Sequence, residues 1–331
     1  MSGDTSRVRS VLVGIGLAVG AIGVGQLVVL VAALGLLGIG ISVYDRPAIQ
    51  LGVSTVMVQG VAFGGIALLY LKFSQRGISF IRVRIPTRRD IAWTIGGFLA
   101  LLAALWAITT IIEWFGIESA QNQIITLAEQ EPSVFLLLIV FSFLLVGPGE
   151  ELLYRGVIQG RLRETFSAPR AVVLASALFA AIHGPSLQGD GKWVYIVTVF
   201  VLALILGGVY EYTDNIVVPA LIHGAYNATI FGVAYISTTQ SGNVAVVEPT
   251  GSSLFLSLLA VISVITLSGL VNVSTESIKS FVASCCPPRY HIVRTGIIML
   301  GGILLVMGLL FGEITNSRFA FNIVEGMVLA N

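Results

Sequence analysis

The chain reads as an all-α, polytopic transmembrane helical bundle, and three observations carry that expectation. Of its 331 residues, 56% are hydrophobic and only 11% are charged, against roughly 25% charged residues in a soluble domain. Mean hydropathy is +0.95. Apolar stretches close to the roughly 20 residues that cross a hydrocarbon core of about 30 Å recur along the chain. They predict about 8–9 spans, at 11–42, 51–72, 91–115, 133–162, 168–185, 193–212, 215–236, 253–273 and 292–312, in a single integral membrane domain over 1–331.

The first stretch is long and glycine-rich and is counted as one span. It far exceeds the 7–15-residue apolar region of a signal peptide and no small-residue cleavage pattern follows it, so it is expected to be retained. Between the second and third spans, the basic loop "SQRGISFIRVRIPTRRD" is expected to lie on anionic headgroups. The connector "GIESAQNQIITLAEQEPS", with Glu118, Glu129 and Glu131 and no Lys or Arg, reads as amphipathic and external. Spans four and five form a helical hairpin turning at "RETFSAPR". The stretches within 253–312 read as additional C-terminal transmembrane helices. Cys285 and Cys286, adjacent in the loop between them, are too close for an ordinary structural bridge and read as loop cysteines in preference to a lipidation site.

With the N-terminus inside, 15 of the 18 Lys and Arg residues fall on one side, leaving only Arg46, Lys192 and Arg318 on the other. The positive-inside rule then predicts a multi-pass protein of the cell membrane with a cytoplasmic N-terminus. A net charge of +1 and no basic patch interleaved with aromatics exclude a nucleic-acid partner. The expected partners are membrane lipid and a membrane-bound substrate.

The fourth span then poses a problem, because "VGPGEELLYRG" sets Glu150, Glu151 and Arg155 in an apolar helix. Ionisable residues in a membrane cost several kcal/mol and usually face a protein interior. Glu151 and Arg155 are an i,i+4 pair with the acid N-terminal, the favourable order. Glu150 is left over, and a spare carboxylate in a low-dielectric pocket suits a general base. The competing structural reading is an ion-paired cluster at the cytoplasmic end of the span, snorkelling to headgroups.

The histidines shift the balance. The chain has three, His183, His223 and His291, and the first two fall in predicted spans. The midpoint between Glu150 and His183 lies inside the hairpin turn, so at 1.5 Å per residue both sit about 20–25 Å of helix from it and at equal depth. His223 and Asn227 are i,i+4 and share a helix face. Two chemistries can use such a set. In one, zinc held by the histidines with oxygen ligands lowers the pKa of a bound water while Glu150 takes its proton. In the other, Glu150 and His183 activate water directly, and His223 with Asn227 stabilises the oxyanion. No H-E-x-x-H helix is present, which weakens the zinc reading.

The motifs themselves resemble a known family. "GEELLYRG", "FAAIH" and "HGAYN" are similar to the EExxxR, FxxxH and HxxxN/D motifs of the CAAX protease and bacteriocin-processing (CPBP, or Abi) intramembrane protease family, in the right order and on separate predicted helices. The resemblance covers a catalytic core of about 130–235. It implies a helical membrane fold with an internal hydrophilic cavity, and proteolysis; the family's type II CAAX prenyl endopeptidases remove three residues after a prenylated cysteine. By position it implies that Glu150 activates water with His183 as its partner, while His223 and Asn227 stabilise the oxyanion or bind metal. Glu151 and Arg155 then support the site. The metal ligands under that reading are His183, His223 and Asn227, with Zn2+ as the ion and no organic cofactor. The function expected is hydrolysis of a peptide bond in a membrane-anchored or lipidated substrate. The alternatives are a non-catalytic scaffold of the same fold, or an ion-coupled transporter in which Glu150, His183 and His223 carry protons or a cation.

Overall fold

The computed structural model describes residues 2–240. The two last predicted spans, Cys285 and Cys286 lie outside the described residues. Seven described helices are long and apolar enough to cross a membrane: Thr5–Gly38, Pro47–Phe73, Arg88–Trp114, Ser133–Arg163, Ala168–Ser186, Lys192–Thr213 and Val217–Thr239. They coincide with the first seven predicted spans, and the chain is a multi-pass membrane protein.

The long first stretch is one uninterrupted helix. Ser10, Ala18 and Ala21 are fully or almost fully buried, and with Gly14 and Gly25 they form a stripe of small residues at i+3 and i+4 spacing. Gly25 lies against Val58, and Gly14 against Ile158 and Leu178. Without a hydrophobic drive between helices in lipid, such stripes let backbones approach and gain dispersion contact. The opposite face exposes Leu12, Val19, Leu27 and Val31, as a lipid-facing surface does.

Two spans depart from α geometry. The second is π-helical over Val56–Gly64. The fourth is π-helical over Ser142–Val146 and again over Leu152–Gln159, with Pro148 between the two. Proline removes an N–H and its ring clashes with the carbonyl four residues back, and a widened turn just before it relieves the conflict. The third span starts cleanly, because Thr87 and Asp90 form a reciprocal capping box.

The hairpin of spans four and five has the register expected from its turn. Tyr154 and Phe179, which share the midpoint of Glu150 and His183, pack edge to face with ring centroids 5.0 Å apart. They join a core with Phe63, Ile81, Leu153, Val157 and Ala175. The connector between spans three and four packs onto the bundle: Gln121–Asn122 pairs antiparallel with Leu187–Gln188, and Ala128 is fully buried in a cluster with Leu51, Phe135 and Leu138.

The basic loop is tied into the bundle by ion pairs. Arg76 pairs with Glu164 at 2.5 Å, Arg82 with Asp214 at 3.2 Å, and Arg84 grips the buried Asp90 with both guanidinium nitrogens. Arg84 also donates to the Thr213 carbonyl at 2.7 Å, and Arg89 lies over the Tyr212 ring. Ile81 packs on Gly156 and Phe80 on Gly160. The reason is local: acids in the turns after spans four and six, and Asp90 at the start of span three, meet the loop at one end of the bundle.

Candidate active site

Three spans supply the polar groups at the centre of the bundle. Glu150, Glu151 and Arg155 come from the fourth, Gln59 from the second and His223 from the seventh. Glu151 and Arg155 are both 0% exposed, Glu150 is 5% exposed and His223 is 7% exposed. Burial this complete removes the reading of a cluster snorkelling to headgroups.

Glycine makes the assembly possible. A Cβ on Gly147 would stand 2.5 Å from the Ala220 carbonyl oxygen and 3.1 Å from the Gly224 nitrogen. One on Gly149 would stand 2.4 Å from the Gln59 carbonyl oxygen. The fourth span therefore touches the seventh and the second backbone to backbone, on either side of Pro148. Gly147→Ala should cost about 1–3 kcal/mol by overpacking, read as a lower melting temperature of the detergent-purified protein; an unchanged value would show that the spans can part without penalty.

Within this frame Glu151 bridges two cations or potential cations. Its Oε2 lies 3.2 Å from Arg155 Nε, and its Oε1 accepts from His223 Nδ1 at 2.9 Å. A carboxylate can only accept here, so Nδ1 carries the proton and Nε2 is the ring's working nitrogen. That nitrogen faces Glu150 Oε2 at 3.7 Å, beyond hydrogen-bond length. The other oxygen of Glu150, Oε1, accepts from Gln59 Nε2 at 2.7 Å. Arg155 also lies over the Phe179 ring, 4.8 Å from its centroid, a cation–π contact in a dry setting.

Of the residues expected from sequence, Glu150, Glu151, Arg155 and His223 are in this cluster. His183 is tied to it through Phe179: that ring's centroid is 4.8 Å from His183 and 5.8 Å from His223. No ion pair joins His183 to Glu150 among the described residues. The α-helical part of span five ends at Ala181, before a 3-10 turn at Gly184–Ser186, and the His183 Nδ1–H is spent on the Phe179 carbonyl at 2.8 Å, which leaves Nε2 as an acceptor. Asn227 is one turn beyond His223, half-buried, and its side chain has no hydrogen-bond partner among the described residues. Gln59 is the residue that motif reasoning misses. Its only sequence signal is a lone amide inside an apolar stretch, where polar side chains turn toward protein.

The donor set bears on the metal. A catalytic zinc takes three protein ligands around an open position. Among the described residues, no three His, Cys, Asp or Glu side chains converge in a way that could hold an ion. The arrangement does not fit a three-ligand centre among the described residues.

Comparison with known proteins follows the same segment. Over 85 residues, 26% of its length, the chain is 35% identical to a protein of Bacillus subtilis (strain 168) named "Uncharacterized protein YpbD", of which it covers 39%. No solved structure matches it. Residues 132–229, which hold spans four to six and the first half of span seven, match the family described as type II CAAX prenyl endopeptidase Rce1-like. The buried carboxylates, their arginine and both histidines thus all lie in the part of this membrane protein, residues 132–229, that matches the Rce1-like domain family of the CPBP (Abi) class.

Proposed function

We propose that the protein is an intramembrane endopeptidase that hydrolyses a peptide bond in a membrane-anchored substrate, of prenylated CAAX type, with Glu150 as general base. The observation that carries this reading is the state of the Glu150 carboxylate. One oxygen is held by Gln59, while the other is buried without a hydrogen-bond partner and faces His223 Nε2 at 3.7 Å. In this reading the hydrolytic water sits between the two atoms. Glu150 Oε2 takes a proton from that water as the water oxygen bonds to the scissile carbonyl carbon, and the tetrahedral oxyanion then collapses with cleavage of the C–N bond as the proton passes to the leaving amine nitrogen. Asn227, and His223 with its Nε2 protonated as well as Nδ1, stabilise the developing oxyanion. Glu151 and Arg155 fix the His223 tautomer, and His183, with Nε2 open, assists proton movement. The catalytic core is residues 130–235, and the basic end of the bundle faces the cytoplasm.

The test is cleavage of a farnesylated CAAX peptide and its unprenylated twin by the detergent-purified full chain, with a Glu150→Gln variant as control. Release of the last three residues from the prenylated peptide by wild type alone is the expected result, and a chelator should leave the rate unchanged. Cleavage of neither peptide would remove the prenyl-peptide substrate. Inhibition by chelator, reversed by zinc, would overturn the metal-free route.

A further inference from the structure

We infer that Gln59 is a positioning residue for Glu150, one that holds the carboxylate off His223 and so keeps its second oxygen free to act as a base. The inference rests on the peptidase reading above, and Gln59 lies outside the matched segment 132–229.

Three features lead to it. First, the Gln59 Nε2–H donates to Glu150 Oε1 at 2.7 Å, the one hydrogen bond that Glu150's side chain makes among the described residues. Second, the amide has no other polar commitment, because its own Oε1 is buried without a partner. Buried polar atoms are nearly always paired, so an amide in this state is held where it is by what its donor does. Third, the distance is set by backbone. Gly149, the residue before Glu150, lies so close to Gln59 that a Cβ would meet its carbonyl oxygen at 2.4 Å. The second span therefore cannot slide relative to the fourth without breaking this contact, and the π-helical stretch Val56–Gly64 surrounds the contact point.

The chemistry explains why an amide serves here. Glu150 Oε2 and His223 Nε2 are 3.7 Å apart, and once the ring carries a proton on Nε2 as well as on Nδ1 a small rotation of the carboxylate would close that gap to a direct hydrogen bond. Such a pair would occupy both the base and the oxyanion donor and leave water without a place. Gln59 pins the opposite oxygen and prevents the rotation. A lysine or arginine would pin it too, but would also neutralise the carboxylate; a neutral donor orients it and leaves its charge.

The test replaces Gln59 by methionine, which is similar in length and volume and lacks the donor. An infrared band of wild type that vanishes in Glu150→Gln identifies the Glu150 carboxylate, and in Gln59→Met this band should move. Cleavage should slow by about 100-fold in kcat, the order expected for a misplaced reacting group, with KM within about twofold. Thermal unfolding of Gln59→Met checks that the fold survives. An unmoved carboxylate band would overturn the inference, as would a moved band with kcat unchanged. Should wild type cleave no peptide, the peptidase reading fails on its own, and the infrared arm still decides whether Gln59 holds Glu150.

Discussion

Glu150→Gln is expected to reduce kcat by at least about 100-fold while leaving the protein folded. General-base catalysis contributes roughly 100- to 10,000-fold, and an amide cannot accept the water proton. The fold should survive for a specific reason. The carbonyl of the new amide can still accept the hydrogen bond from Gln59 Nε2 that Glu150 Oε1 now takes at 2.7 Å, and the side chain keeps its size against Gly149 and its neighbours. Peptide cleavage and thermal unfolding of the same preparation measure the two halves. Full activity in this variant would remove Glu150 from the reaction.

Arg155→Ala should do the opposite and damage stability first. Arg155 is fully buried, pairs with Glu151 at 3.2 Å, caps the Phe179 ring and reaches the Ala203 carbonyl at 3.4 Å. Removing it leaves Glu151 buried with only His223 for a partner, and breaking a buried pair from one side costs about 3–5 kcal/mol. The expected result is a sharp drop in melting temperature or in the yield of folded protein. A double variant, Arg155→Met with Glu151→Leu, should recover much of that stability, since an apolar pair of similar volume carries no uncompensated charge. It should not recover cleavage, because His223 loses the acceptor that sets its tautomer. Equal melting temperatures for wild type and Arg155→Ala would show that the ion pair is not buried as described.

How much of this is legible in the chain depends on the range of the interaction. The seven spans are, because each is a local accumulation of apolar residues. The Glu151–Arg155 pair is local too, and so is the hairpin register that brings Tyr154 onto Phe179. The partners of Glu150 are not local. Equal depth sets Glu150 level with His183, yet the α-helical part of span five stops at Ala181 and the His183 ring turns back to the Phe179 carbonyl. His223 faces Glu150 instead, from a span that arrives 73 residues later in the chain. Gln59 carries no motif, and what brings it to Glu150 is the missing side chain at Gly149, a contact that depends on how two helices cross. The π turns are equally hidden: Pro148 signals a disturbance in the fourth span, but not that it is absorbed by widened turns on both sides.

The arginines of the loop between spans two and three matter to the finished bundle as well as to the charge balance that topology rules read. While the chain is being inserted no bundle exists, and unpaired positive charge is the signal that decides on which side of a bilayer a loop remains. Once the helices close, Arg76, Arg82 and Arg84 are committed to Glu164, Asp214 and Asp90. The finished protein thus presents less free charge at that end than its composition suggests. Basic residues that a count would assign to the surface serve there as internal bracing between the loop and three helix ends.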